Sequence, residues 1–256
     1  MAIVSDKAWT KYINALKQLN LKATNKMLTR IAELGTEDPE ALTELIRYAY
    51  AIATRYGEGA AALSAEMYDA LAELSGKIIP PAVPAATASY GDVAKAIYGT
   101  KLQSNNPQVM ADAVGRLVKM ASADTMQQNA LRDGAEWAWI PRGDTCAFCL
   151  MLASNGWQRA SRKAIKGGHA EHIHANCDCT YAIRFSSDVE VEGYNDGKEY
   201  RKLYYGAEGS TPEEKVNSMR RDFYADNKDR INEQKRSAYE KRQELNSPEA
   251  EELNVN

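Results

Sequence analysis

All four cysteines and all three histidines of the chain lie in one stretch, from Trp137 to Phe185. Cys146 and Cys149 form a C-x2-C pair, and a second group follows after a loop. The second group consists of His169, His172, His174, Cys177 and Cys179. Thiolate and imidazole groups in two clusters separated by a loop are typical of protein zinc sites. The spacing therefore predicts one zinc ion held by both clusters.

Five of these side chains compete for the four positions of a tetrahedral zinc site, and the spacing leaves open which four bind. The five candidates are Cys146, Cys149, His174, Cys177 and Cys179. In an extended C-x-C segment the two thiols project to one side and Asp178 to the other. A catalytic zinc keeps one position for water, so the surplus of thiolates favours a closed structural site. We expect structural zinc that stabilises a loop-rich module.

Other arrangements of the same residues fit the sequence less well than zinc does. Two disulfides are possible by count, but no signal peptide is recognisable, and thiols in a reducing cytosol stay reduced unless a metal binds them. His169-Ala170-Glu171 resembles the H-x-E of zinc deaminases, but its order relative to the C-x2-C pair is reversed. The H-E-x-x-H pattern of metalloproteases is absent. We therefore expect no catalytic metal.

A basic run without an acidic residue lies between the two clusters. It consists of Arg159, Arg162, Lys163 and Lys166. The ordinary explanation is a solvated loop. The more specific one is a local contact with phosphate groups, because clusters of lysine and arginine give sequence-independent affinity for nucleic acid. The net charge of −3 and pI near 5.8 provide no global nucleic-acid signature, so any contact with DNA should be local.

Composition places the chain among ordinary globular proteins. Hydrophobic residues make up 44% of the chain and charged residues 26%. No apolar run reaches the length of about 18 residues that a membrane span requires. We expect a protein without a membrane contact.

Apolar residues recur at helical spacing through residues 1–76, which are predicted to form an N-terminal helical region. The first stripe ends at Gly35, and Pro39 suits the first position of the next helix. Gly57 and Gly59 mark a soft point within that second stretch. Such stripes are packing faces and are assigned no function.

Residues 77–89 contain three of the eight prolines and several small residues, and are predicted to be an extended linker. Residues 90–135 are predicted to be a helical connector. It should contain a short helix from Asp92 to Tyr98 and a longer one from Pro107 to about Arg132.

The Cys/His module is predicted to span residues 136–186. Trp137–Ile140 and Thr180–Phe185 are rich enough in aromatic and β-branched residues to form short strands on either side of the metal. A polar loop and a C-terminal helix should occupy residues 187–246, and residues 247–256 should form a disordered tail.

The C-terminal helix is predicted to start at the capping box of Thr211-Pro212-Glu213-Glu214 and to reach about Leu245. Between Pro212 and Leu245 there are nine basic and eight acidic residues and few apolar ones. Such a helix buries little of its surface, so it is either solvated or lies along a partner. The predicted fold is mainly α: a helical N-terminal region, a small α+β zinc-stapled Cys/His module and a long charged C-terminal helix.

The module resembles a known family. The run from Arg142 to Ser154, followed by the segment from His174 to Cys179, is similar to the C-terminal signature of the minor head proteins of tailed phages that are related to the Mu F protein. The family pattern is C-x2-C followed by H-x2-C-x-C. It is matched by Cys146, Cys149, His174, Cys177 and Cys179. Ala175 stands where the family often has proline, and outside the module the resemblance is architectural.

The resemblance implies a minor capsid protein that acts in head morphogenesis, located in the virion head and, during assembly, in the host cytoplasm. It implies the portal and/or the major capsid protein as partners, with packaged DNA as a further contact. No small-molecule substrate and no enzymatic activity are expected. Because some relatives are labelled capsid maturation proteases, a protease using Ser154 or Ser161 is the first alternative. A zinc-dependent nucleic-acid-binding or nuclease module is the second.

Overall fold

The chain forms a bundle of long helices with a small antiparallel sheet attached to one end of it. The computed structural model describes residues 3–4, 6–140, 146–161, 180–187, 190–191 and 198–245. Within these residues 75% are helical, which confirms the prediction of a mainly α fold. The helices are α1 (Asp6–Leu34), α2 (Pro39–Leu74), α3 (Tyr90–Ser104), α4 (Pro107–Asp133), α5 (Ala147–Ser154), α6 (Lys198–Gly206) and α7 (Pro212–Leu245). The strands are β1 (Ile3–Val4), β2 (Glu136–Ile140), β3 (Gln158–Arg159), β4 (Thr180–Arg184) and β5 (Glu190–Val191).

Local capping signals set the ends of the long helices. At the start of α2, the Asp38 side chain accepts hydrogen bonds from the main-chain N–H groups of Glu40 and Ala41, both at 3.3 Å. Asn106 caps α4 in the same way, and Gly134 ends α4 in the left-handed conformation at φ +65°. The helix predicted from Pro107 is therefore confirmed, as is the stop of α1 before Gly35.

Helix α2 is continuous through the soft point predicted at Gly57 and Gly59, and it ends at Leu74. Gly57 lies where the connector between α2 and α3 crosses the helix. A Cβ atom at this position would lie 2.9 Å from the Thr87 Cγ2 atom and 3.7 Å from the Ala121 Cβ atom. The glycine therefore serves the close approach of three segments rather than a break in the helix.

Helices α1, α2 and α4 share a core that contains a small polar centre. The Tyr12 hydroxyl lies 2.8 Å from the Ser64 Oγ atom, and Ser64 lies 2.7 Å from the Ser122 Oγ atom. These three groups come from α1, α2 and α4 and are all buried. Because each hydroxyl has a hydrogen-bond partner, the network fixes the relative position of the helices without leaving polar atoms unsatisfied.

The connector of residues 77–89 contains neither helix nor strand, and polar side chains fasten it to the bundle. Asp69 of α2 accepts a hydrogen bond from the main-chain N–H of Ala82 at 2.8 Å. Asn129 of α4 brackets Val83: its Oδ1 atom accepts from the main-chain N–H, and its Nδ2 atom donates to the carbonyl, both at 2.9 Å. The extended segment is thereby held against both α2 and α4.

Two further side chains of α4 bind the same connector. The Arg132 guanidinium donates to the carbonyl oxygens of Pro80 at 2.8 Å and Pro81 at 3.0 Å. The Thr125 hydroxyl accepts from the main-chain N–H of Ala85 at 2.9 Å. The connector has no helix or strand of its own to pair its main-chain groups, so these side chains satisfy groups that would otherwise lack a protein partner.

The sheet has the strand order β3-β2-β4, and both pairings are antiparallel. In the β2–β4 ladder Glu136 lies opposite Arg184 and Ile140 lies opposite Thr180. The predicted strands at Trp137–Ile140 and from Thr180 are confirmed, with Phe185 just beyond the end of β4. A second, parallel pair joins β1 to β5.

One hydrophobic cluster connects the sheet to the bundle. It contains Trp9 from α1, Tyr68 from α2 and Met126 from α4, together with Trp139 and Ile183 from the sheet. All five are at most 2% exposed. Because the helices and the sheet bury their apolar faces against each other, they fold as parts of the same core.

Helices α6 and α7 pack on the outer side of α5. Val216 and Met219 in the first turns of α7 are buried against Ala147, with Tyr204 of α6 alongside. The predicted start of α7 is confirmed: the Glu214 carboxylate accepts hydrogen bonds from the main-chain N–H groups of Ser210 and Thr211. No helix in the described part of the chain is long and apolar enough to cross a membrane.

Candidate metal centre and its scaffold

Cys146 and Cys149 lie together at the N-terminus of α5. Cys146 is the N-cap residue, with extended backbone angles (φ −72°, ψ 156°), and Cys149 follows in the first turn. Cys146 is half-buried, whereas Cys149 is 2% exposed. Main-chain N–H groups and the helix dipole make this end of a helix favourable for negative charge, which stabilises the thiolate form of cysteine. The pair therefore has the chemistry of half a zinc site.

The apolar sequence of α5 explains why this turn forms where it does. Cys149, Leu152 and Ala153 are buried in the cluster that the sheet shares with the bundle. Ala147 is buried on the other side, against α7. Both faces of this short helix are covered, so packing rather than helix propensity holds the two cysteines in position.

Three aromatic side chains form the wall beside the pair. Tyr181 of β4 makes edge-to-face contacts with Trp137 and Trp139 of β2, at centroid distances of 5.1 and 4.7 Å. Burial raises the pKa of the Tyr181 hydroxyl far above its usual range, and the nearby Asp124 and Cys149 raise it further. The hydroxyl therefore stays protonated. Tyr181 and Cys149 are buried in the same hydrophobic cluster.

An ion pair and a stacked cation tie the sheet to the segment after α5. The Arg184 Nε atom lies 2.6 Å from the Glu136 Oε2 atom. The same guanidinium lies over the Trp157 ring, 4.5 Å from its centroid. Arg184 is largely shielded from solvent and Glu136 is partly exposed, so these contacts fix orientation more than they add stability.

Helix α6 is attached to the end of α5 by an arginine. The Arg201 Nε atom donates to the Ser154 carbonyl at 2.8 Å, and its Nη2 atom donates to the Asn155 carbonyl at 3.3 Å. A cation at these terminal carbonyls is favourable because they carry the negative end of the helix dipole. No local sequence pattern predicts this contact, because the partners are 47 positions apart.

The structure brings two of the five predicted metal ligands together. Cys146 and Cys149 are the two, whereas His174, Cys177 and Cys179 lie outside the described residues. No group of three or more metal-binding side chains occurs among the residues that the structure describes. The zinc site remains a prediction.

One of the four predicted nucleic-acid contacts has a described position. Arg159 is the exposed second residue of the edge strand β3, opposite Glu136 of β2. Arg162, Lys163 and Lys166 lie outside the described residues. The basic run between the two clusters therefore also stays a prediction.

Fold and site together define a mainly helical protein with a small cysteine-bearing α+β module. The family model described as VG15 protein matches residues 3–207, which is most of the chain. The chain therefore belongs to the VG15 protein family, which points to a viral protein of phage type. No curated protein and no solved structure matches the chain. The expected phage origin is thus supported at the level of a viral family, and the likeness to the Mu F protein stays a prediction.

Proposed function

We propose that this chain is a minor capsid protein of a phage, a Mu F-like structural component that acts in head morphogenesis. It associates with the portal or the major capsid protein and uses structural zinc in its Cys/His module. The match of residues 3–207 to a viral protein family supports the proposal most strongly. An assembly component needs a rigid body and a surface for its partner, and the described part of the chain has features suited to both.

The partner surface in this proposal is the outer part of α7. Val216, Ser218 and Met219 anchor the start of the helix, and each is at most 8% exposed. Beyond them, Phe223 is 39% exposed and Tyr224 is 43% exposed. From Pro212 to Leu245 the 34 residues extend about 50 Å, so most of the helix lies beyond its anchor. Exposed aromatic residues on a charged helix are suited to a partner's groove.

Structural zinc in this proposal is bound by Cys146 and Cys149 and by two of the three candidates His174, Cys177 and Cys179. The β2–β4 register supports this arrangement, because Cys179 immediately precedes Thr180, which pairs with the last residue of β2. Cys149 and Tyr181 of β4 are buried in the same hydrophobic cluster. The second cluster thus leads directly into the strand beside the first.

Metal analysis tests the zinc part of the proposal. Protein purified under reducing conditions should contain about one zinc per chain, as expected for four thiolate or imidazole ligands. The double variant Cys146→Ser/Cys149→Ser should lose the metal and unfold at lower temperature, whether or not a chelator is present. The parent protein should lose stability only when the chelator is added. Parent protein without zinc, or a double variant with unchanged stability, would contradict a structural zinc site.

The environment of Ser154 does not suit the nucleophile of a protease. Ser154 is 4% exposed, and its hydroxyl donates a 2.6 Å hydrogen bond to the Met151 carbonyl. A nucleophilic serine needs its proton directed at a base instead. This geometry supports a packing role for Ser154 at the end of α5.

Truncation of α7 tests the partner part of the proposal. A chain ending at Arg221 retains the anchor residues and loses the exposed outer helix. When produced together with the portal and major capsid proteins of the same phage, it should fold but fail to enter procapsids. A chain ending at Asn246 is the matched control and should enter normally. Equal incorporation of the two chains would refute α7 as the docking element.

A further inference from the structure

Helix α1 carries a basic face that neither the family nor the metal site explains. It contains six basic residues and two acidic ones, which gives α1 a net charge of +4 in a chain whose net charge is −3. The two acids, Asp6 and Glu33, lie at its ends, so no acidic residue occurs between positions 7 and 32. The rest of the chain therefore has a net charge of −7. Positive charge is therefore concentrated on one helix.

Four lysines of this helix share its solvent side. Lys7, Lys11, Lys22 and Lys26 are all exposed, whereas Trp9, Ala23 and Met27 are completely buried. At 100° and 1.5 Å per residue, the four lysines fall within an arc of about 100° and extend over about 28 Å. They lie on one face of the helix, referred to below as the lysine face.

No acidic side chain in the described part of the chain forms an ion pair with the lysine face. No described carboxylate lies within 4.0 Å of these four ammonium groups. Arg30 on the same helix differs, because its guanidinium lies 2.8 Å from Glu33 and 3.5 Å from Glu44. The four lysines therefore present their charge to solvent or to a ligand.

We propose that the lysine face of α1 binds duplex nucleic acid through its phosphate groups. Lysine ammonium groups act as point charges, which suits sequence-independent contact with a phosphate backbone. A protein partner is less well matched, because the cores of protein interfaces are depleted in lysine and enriched in aromatic residues. Leu21, at 39% exposure, is the exposed large hydrophobic residue of α1. The length of about 28 Å approaches one turn of the duplex, which is about 34 Å.

This site is distinct from the predicted contacts at Arg159 and its neighbours, and it does not depend on the docking of α7. The charge of another helix suggests an alternative to DNA binding, which the experiment must distinguish from it. Helix α2 has six acidic and two basic residues, so the lysine face could instead meet α2 of a second copy. Self-association of that kind requires no nucleic acid.

The experiment is a salt titration of binding between the full chain and a fluorescent duplex of mixed sequence and about 30 base pairs. The triple variant Lys11→Gln/Lys22→Gln/Lys26→Gln removes three charges from the face. If each lysine contacts one phosphate, the slope of log K against log salt should fall in magnitude by about 2.7. Binding at low salt should weaken at least tenfold, as the loss of three phosphate contacts implies.

The matched control is Lys77→Gln/Lys95→Gln/Lys202→Gln, which removes three exposed lysines elsewhere and produces the same net charge. Its slope should stay within about one of the parent value. The proposal is overturned if the parent does not bind DNA at low salt, or if the two triple variants lose binding equally. It is also overturned if sedimentation without DNA shows self-association that only the α1 variant loses.

Discussion

Replacing Asn129 with alanine should detach the connector of residues 77–89 from α4. The Asn129 side chain makes three hydrogen bonds: two with the main chain of Val83 at 2.9 Å, and one to the Thr125 carbonyl at 2.7 Å. Asn129 is 2% exposed, so water does not reach the amide in the folded protein. The substitution removes all three bonds and leaves a small cavity between the connector and the helix.

The structure sets the size of the effect. Each hydrogen bond contributes a net value of about 1 kcal/mol to stability, and a main-chain group left without its partner costs more. Val83 itself is 62% exposed, so water can partly replace the lost partners of its main chain. We therefore expect Asn129→Ala to lower the free energy of unfolding by about 2–4 kcal/mol. For a chain of this size that corresponds to a decrease of about 5–12 °C in Tm.

Chemical unfolding followed by circular dichroism measures this change. The matched control is Gln128→Ala, which removes a similar amide from the adjacent, exposed position of α4 and should change stability by less than about 0.5 kcal/mol. Asn129→Asp should be at least as damaging as Asn129→Ala, because a carboxylate cannot donate to the Val83 and Thr125 carbonyls and would be buried unpaired. An Asn129→Ala protein as stable as the Gln128→Ala protein would refute the reasoning.

Three other predictions concern single positions. Gly115→Ala should destabilise the fold by about 1–3 kcal/mol, because the new Cβ atom would lie 2.4 Å from the Asn20 Oδ1 atom. Gly99→Ala, whose Cβ atom would have no other atom within 4 Å, should stabilise the fold by about 0.5–1 kcal/mol, and thermal unfolding of both variants measures this contrast. Hydrogen bonds from the main-chain N–H groups of Ser210 and Thr211 lower the pKa of the Glu214 carboxyl group. The cap that this carboxylate forms on α7 is therefore present at neutral pH and is lost as the pH falls through the lowered pKa. NMR titration of the carboxyl group should show a midpoint below the usual glutamate range, and Glu214→Gln should abolish the acid-dependent loss of the cap. Ser154→Ala should leave processing of the major capsid precursor unchanged on gel analysis of particles, and loss of processing would instead identify Ser154 as a nucleophile.

The parts of the fold that sequence could predict are those with local signals. Helix α4 begins with Asn106 as its N-cap and Pro107 in its first turn, and it ends at Gly134 in the left-handed conformation. Its bounds were therefore predictable from residues within a few positions of its ends. Apolar and aromatic composition located β2 in the same way. The role of Gly57 could not be predicted in this way, because that glycine allows the close approach of Thr87 and Ala121, which are distant in sequence.

Helix α6 was missed because its sequence reads as part of a polar loop. None of its side chains is fully buried, and it is held by the contact of Arg201 with the end of α5 and by packing beside α7. The candidate site also has parts that sequence could predict and parts that it could not. Spacing alone identified Cys146 and Cys149, whereas the ion pair of Glu136 and Arg184 joins residues 48 positions apart and has no local pattern.

The charged face of α1 was also missed, because net charge averages over the chain. The chain has a net charge of −3, although α1 alone has a net charge of +4. Summing the charge over each predicted helix face, instead of over the whole chain, would have found it. The even charge of α7, in contrast, was visible in the sequence since its acids and bases are interspersed.

Counting this chain in purified procapsids and mature heads tests the proposed function most directly. Quantitative mass spectrometry should measure its ratio to the portal protein in both kinds of particle. The account predicts a minor component, at one to a few tens of copies per particle, an order of magnitude set by a symmetric portal ring. Absence of the chain from both kinds of particle would contradict a structural role in the head, and presence in procapsids alone would favour a scaffold or a protease instead.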